Sequence, residues 1–169
     1  MKAAIALAAA ALLAVGTPAA AQQGGTAVAT ADGVASAVLP CDEPVLAPED
    51  PAGLEVWLCP DGEIGYMFIS AWGEALLESD PFSSDFDLTL EAVSASPDTV
   101  GLVEGDLDGM RTLRAGRGEA DGYGLMRAIE VADDRVVYAI VVAAGPEVAI
   151  SDSEKARARG FVESLGVRF

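Results

Sequence analysis

The run Arg135–Ala143, R-V-V-Y-A-I-V-V-A, is apolar on both of the faces a strand would present. A strand of that kind is expected at the centre of a sheet, because neither face tolerates water. Tyr123–Val131 is the other strong strand, joined to the first through Asp133-Asp134, and Gly145-Pro146 ends the pair. A helix follows. Ser151 and Glu154 form an S-x-x-E capping box, Ala158, Phe161, Val162 and Leu165 fall on one stripe, and Gly166 stands just past its end.

Upstream, Gly53–Leu58 alternates with Leu54, Val56 and Leu58 on one face, and Ile64–Ser70 resumes after Pro60-Asp61-Gly62, predicting a β-hairpin. Ala71–Glu78 is expected to be a short helix ended by Ser79-Asp80-Pro81. Phe86, Leu88 and Leu90 alternate with Asp87, Thr89 and Glu91, which predicts a half-exposed strand. Val100–Glu104 and Met110–Arg117, either side of Asp108-Gly109, add two more. Strands followed by a closing helix argue for an α+β fold: a largely antiparallel β-sheet with a C-terminal amphipathic helix packed on it.

Gly101–Arg114 (G-L-V-E-G-D-L-D-G-M-R-T-L-R), Val136–Ala143 (V-V-Y-A-I-V-V-A) and the helix end Phe161–Leu165 (F-V-E-S-L) together resemble the sheet-then-helix ending of small secreted proteins with a Mog1/PsbP-like sandwich. The resemblance carries no catalytic motif. It implies a binding or assembly factor, by analogy of fold.

The chain starts with Met1-Lys2, an apolar run from Ala3 to Val15, a break at Gly16-Thr17-Pro18 and the small residues Ala19-Ala20-Ala21. That order predicts a secretory signal over 1–21, cut before Gln22. The apolar run is too short to span a hydrocarbon core of roughly 30 Å, so stable membrane insertion is not expected and the mature protein is placed in the periplasm or medium. Residues 22–39, rich in Ala, Gly, Thr and Ser, are expected to form a flexible leader. Pro40, Pro44, Pro48 and Pro51 then open a single domain over 40–169, whose core is expected to start near Gly53. Cys41 and Cys59 reach an oxidising compartment, where a disulfide is the default.

Charge and missing residue types narrow the function. A formal charge of −17 repels phosphate backbones and anionic lipid, so nucleic acid is not an expected partner; another envelope protein or a small ligand is. The chain has no histidine, which removes Ser-His-Asp and Cys-His catalysis and the common zinc sites. Lys155 is the one lysine beyond the signal, which argues against Schiff-base chemistry. No cofactor is expected. Glu104, Asp106 and Asp108-Gly109 match the front half of a calcium loop, but Ala115 occupies the place of the bidentate Glu, and Arg111 and Arg114 would oppose a cation. A hairpin turn with an acidic flank is the expectation there, and no metal site.

Three constellations remain as candidate sites. Asp85 and Asp87 would share one side of the expected strand, as a glycosidase pair would, yet nothing raises one pKa selectively. Trp57, Tyr66 and Trp72, with Phe68 among them, are a candidate ligand platform or else core. Arg111, Arg114, Arg117 and Arg127 hold half of all the arginines and are a candidate anion site. Cross-strand pairing with Glu104, Asp106 or Glu130 is the expected use of these arginines. The leading functional expectation is an exported non-catalytic binding or assembly module using one sheet face or the groove beside the terminal helix. The alternative is a carboxylate-dependent hydrolase of unrecognised type.

Overall fold

A computed structural model of the chain describes residues 24–47, 53–60, 62–73, 83–118, 122–143, 145 and 148–168. In chain order the elements are β1 (Thr26–Ala29), β2 (Ala35–Leu39), β3 (Val45–Leu46), β4 (Leu54–Leu58), β5 (Ile64–Trp72), α1 (Phe86–Ala95), β6 (Thr99–Leu107), β7 (Met110–Arg117), β8 (Gly124–Ala132), β9 (Arg135–Ala143), α2 (Asp152–Ser164) and β10 (Gly166–Val167). Seven strands form one sheet in the order β3-β4-β5-β9-β8-β7-β6, every neighbour antiparallel. A second, three-stranded sheet runs β1-β2-β10. The fold is α+β, and the doubly apolar β9 is the middle strand of the large sheet, as its composition requires.

Because side chains alternate along β9, Val137, Ala139 and Val141 face one layer while Val136, Tyr138 and Ile140 face another. On the first face, Tyr66, Phe68 and Ile129 join them against Ala158, Phe161, Val162 and Leu165 of the α2 region and Val28, Ala35, Ala37 and Leu39 of the small sheet. On the second face, Leu54, Ile69, Ala71, Leu113 and Ala128 pack against Phe86 and Val93 of α1. The expected capping box starts α2: the Ser151 hydroxyl accepts from the Glu154 N–H at 3.3 Å and the Glu154 carboxylate accepts from the Ser151 N–H at 2.7 Å.

Three expectations are corrected. Residues 22–39 were expected to be a flexible leader, with core structure starting near Gly53. Instead β1 and β2 occupy this stretch, and Ala35, Ala37 and Leu39 alternate inward with no more than 2% exposure. Alanine is poor in transferable area, but its small size lets β2 lie close against α2, and β10 pairs with its far side. Phe86–Glu91, expected as a strand, opens α1. The Asp85 carboxylate accepts from the N–H groups of Asp87 and Leu88, a helix N-cap, and Phe86, Thr89 and Val93 then follow helical spacing on the buried side. Ala71 was expected to start a helix, but Ala71 and Trp72 extend β5; residues 74–78 of that expected helix lie outside the described residues, as does the expected signal.

Polar groups anchor the layers. The Tyr138 hydroxyl, at the centre of the sheet, donates to the Ser83 carbonyl and shares a 2.8 Å bond with Thr89, which holds the approach to α1. Its burial pushes the phenol pKa up to about 12. At the β1–β2 turn, Asp32 pairs with Arg135, whose guanidinium also donates to Ser70 at 3.1 Å and stands over the Trp72 ring. Glu55 accepts from the Ala31 N–H and from the Trp57 indole, both at 3.1 Å. Cys41 and Cys59 are bonded, tying the segment after β2 to the end of β4.

Reduction of the Cys41–Cys59 bond, which spans 18 positions, should lower stability by about 3 kcal/mol on the chain-entropy model. A cooperative transition should remain, because α2 and the central strands bury their core without that bond. Thermal melts with and without reductant check it, and an unchanged midpoint would refute it.

Arg135, with Thr30 and Val34, holds the Asp32 carboxyl well below its ordinary value. A depressed carboxyl stabilises the fold above its unfolded pKa of about 3.9, and that contribution is lost as pH falls below it. The melting-temperature gap between wild type and Asp32→Asn should therefore be widest above about pH 5 and shrink toward about pH 3. A gap that widens on acidification would contradict the pairing.

Candidate ligand-binding groove

The cover on the two faces of the large sheet is unequal. Side chains on the α1 face stand in rows that cross the strands. Leu54, Ala71 and Val136 form one row, and Val56, Ile69, Tyr138, Ala128 and Leu113 the next. The third row is Met67, Ile140, Met126 and Ala115, and the fourth is Gly65, Val142, Gly124 and Arg117. Phe86 and Val93 bury themselves in the cluster that holds residues of the first two rows and Ile140 of the third. The last turn of α1, with Ala92, Val93 and the C-cap Ser96, borders an open space that also touches the third and fourth rows.

What remains is a hollow of about 530 Å³. Its floor is the Met67–Ile140–Met126–Ala115 row, its inner side Val56 and Ile69, and its wall Ala92, Val93 and Ser96 at the end of α1. The row crosses four strands, so it is about 14 Å long at ordinary strand spacing. Glycine shapes the open side. A Cβ at Gly124 would come within 3.3 Å of the Arg117 Cβ, and Val142 beside it is 39% exposed. Arg117 and Asp98 are the charged residues of the lining. The volume falls in the range of small-molecule sites, and apolar walls with few polar groups are the usual lining of such sites.

The candidate arginines do not converge. Arg111 and Arg117 lie on the α1 face, whereas Arg114 and Arg127 lie directly opposite each other on the α2 face. Arg111 pairs with Asp87 at 2.7 Å and Glu130 at 3.6 Å, and stacks over Phe86 with its guanidinium carbon 4.5 Å from the ring centre. The expected partner Glu130 is thus found. Asp106 instead accepts from the Gly109 N–H at 3.0 Å, closing the β6–β7 hairpin where Asp108 and Gly109 both take positive φ.

Arg127 is buried at 9% exposure and donates to the carbonyls of Leu165 at 3.0 Å and Glu163 at 3.4 Å, a cation on the C-terminal carbonyls of α2. Burial first, and then the neighbouring Arg114, push its pKa below the ordinary arginine value.

The other candidates are dispersed in a similar way. Tyr66 is buried, edge-on to Phe161 with ring centres 5.6 Å apart, so it cannot serve an exposed platform. Trp57 packs at the margin of the same core, and Trp72 is exposed beside Arg135. Asp85 and Asp87 do not form a carboxylate pair, since one caps α1 and the other holds Arg111. Among the described residues, no group of three or more His, Cys, Asp or Glu side chains could hold a metal ion, and no helix is long and apolar enough to cross a membrane.

The groove residues escaped the sequence reading because they come from separate strands and from a helix expected as a strand. The glycines of Gly116, Gly118, Gly122 and Gly124 were the available signal. Gly124 strips a side chain from the sheet face beside Arg117. No family model matches the chain, and no curated protein matches it.

The two arginines on the α2 face should separate in a stability assay. Arg127→Gln should cost about 2 kcal/mol, because it removes charge-assisted bonds to otherwise orphaned helix carbonyls. Arg114→Gln should leave stability unchanged or slightly raised, since it relieves repulsion across the β7–β8 pair. Urea denaturation of both variants decides it; equal losses would mean that Arg127 is not the C-terminal anchor of α2.

Proposed function

We propose that this protein is an exported, non-catalytic binding module that takes a small apolar molecule into the groove beside α1. The observation that carries the reading is a concave hollow of about 530 Å³ whose floor and inner side are Val56, Met67, Ile69, Ala115, Met126 and Ile140. A catalytic site needs polar groups converging on one point, and this lining offers side chains that exclude water instead. The two methionines suit it to occupants of varied shape, because an unbranched thioether side chain repacks at little cost.

Export is supported by the signal-like start and by the Cys41–Cys59 bond, which belongs to oxidising compartments. The binding-module reading also draws on the sequence resemblance of Gly101–Arg114, Val136–Ala143 and Phe161–Leu165 to Mog1/PsbP-like sandwiches, whose members are mostly binding or assembly factors. The groove lies on the opposite sheet face from the terminal helix, so the binding surface is the open sheet face and not the flank of α2.

A neutral apolar fluorophore such as N-phenylnaphthylamine should bind the mature protein saturably, with one site per chain. Ala92 is exposed on the helix wall of the hollow, so Ala92→Trp fills the space without disturbing the core. That change should weaken binding about tenfold or more, a loss of about 1.4 kcal/mol or more, with the melting temperature nearly unchanged. Fluorescence titration checks it. Absence of saturable binding by the wild type, or equal binding by the filled variant, would overturn the reading.

A further inference from the structure

We propose that the occupant of the groove is an amphiphilic monocarboxylic acid, its chain lying along the Met67–Ile140–Met126 row and its carboxylate on the Arg117 guanidinium. This rests on the groove being a ligand site, and it adds the class of ligand. Its own support is the charge at the open side. On the groove face of the sheet, Arg111 is held by Asp87 and Glu130, whereas Arg117 makes no ion pair with any described residue. Among the described residues Arg111 and Arg135 are the arginines that form ion pairs, and of the others it is Arg117 that lines the hollow. Arg117 stands at the end of the row that Gly124 and Val142 leave low, and it lines the hollow.

The rest of the lining decides the kind of anion. A guanidinium and a carboxylate match in geometry and charge, giving paired, charge-assisted hydrogen bonds that strengthen beside apolar walls. A dianionic phosphate head would place two charges on one arginine. It would also stand near Asp98, the second charged residue of the lining, in a protein of net charge −17. A single negative charge is the head that one arginine balances. Asp98 belongs to the connection between α1 and β6, where its carbonyl accepts from the Gly118 N–H, and its carboxylate repels a second anion from that end of the hollow.

The test is displacement of bound N-phenylnaphthylamine by dodecanoate, dodecanol and dodecylamine, which share a tail and differ in head charge, each below its micellar range. Dodecanoate should displace the probe at about tenfold lower concentration than dodecanol from the wild type. Arg117→Gln should bring acid and alcohol to the same displacing concentration, and Asp98→Asn should keep or raise the preference for the acid. Equal displacement by acid and alcohol from the wild type would overturn the acid assignment and leave the binding reading standing. Preference for the amine would overturn it in favour of Asp98 as the head-group partner. Failure of the probe to bind the wild type would remove the site, and the ligand class with it.

Discussion

A strand that is apolar on both faces obliges a chain to build cover on both sides of it, and β9 sets this requirement for the whole molecule. Each large side chain removed from water there contributes about 1.5–3 kcal/mol, so neither face can be left open without losing a sizeable part of a domain's marginal stability. The face toward α2 is closed by four residues of the helix region and four of the small sheet. The face toward α1 is closed over Val136 and Tyr138 and left hollow beyond Ile140. The groove therefore follows from the central strand and a short helix, and no dedicated loop is needed to build it.

The small sheet is the least expected part of this arrangement. Its inward residues are mainly alanine, which bury little area each, so the sheet is held by its edges as well as by its core. Asp32 on Arg135, Glu55 on the Ala31 N–H, and the Cys41–Cys59 bond all lie where the small sheet meets the large one. The Ser164 hydroxyl adds a further tie, accepting from the Val38 N–H at 2.9 Å. Exposed ion pairs alone contribute little, but here each also satisfies a turn or a backbone donor, which makes it harder to lose without cost.

How much of this was legible depended on whether a local pattern had one meaning. β8, β9 and α2 were readable because a long apolar run, a tight acidic turn and a capping box each exclude the alternatives. Phe86–Glu91 was not. Six residues of alternation also place Phe86 and Thr89 on one side of a helix, and the deciding fact is the Asp85 cap, which a strand would not need. Residues 26–39 were misread for another reason. Low apolar content argues against independent folding, but β2 borrows its stability from α2 and from β10, a partner more than a hundred residues downstream. Of the candidate site residues, the cysteines pair as expected, and the arginines divide between two sheet faces because neighbouring positions on a strand point in opposite directions. The groove itself belongs to no single segment, so no window of sequence could display it.

The electrostatics of the groove separate approach from residence. A surface of net charge −17 repels an approaching carboxylate, but that repulsion decays over a Debye length of about 8 Å at physiological ionic strength. Arg117 acts inside that distance, exposed at the open side of the hollow beside its apolar floor. The tail contributes in proportion to the area it buries along a row of about 14 Å, whatever the charge of the protein. Salt should thus ease the entry of an acid by screening the global charge, and it should weaken the exposed pair with Arg117 in part. A strongly acidic protein is in this way compatible with an acidic ligand, provided that a single cation stands where the ligand's charge comes to rest.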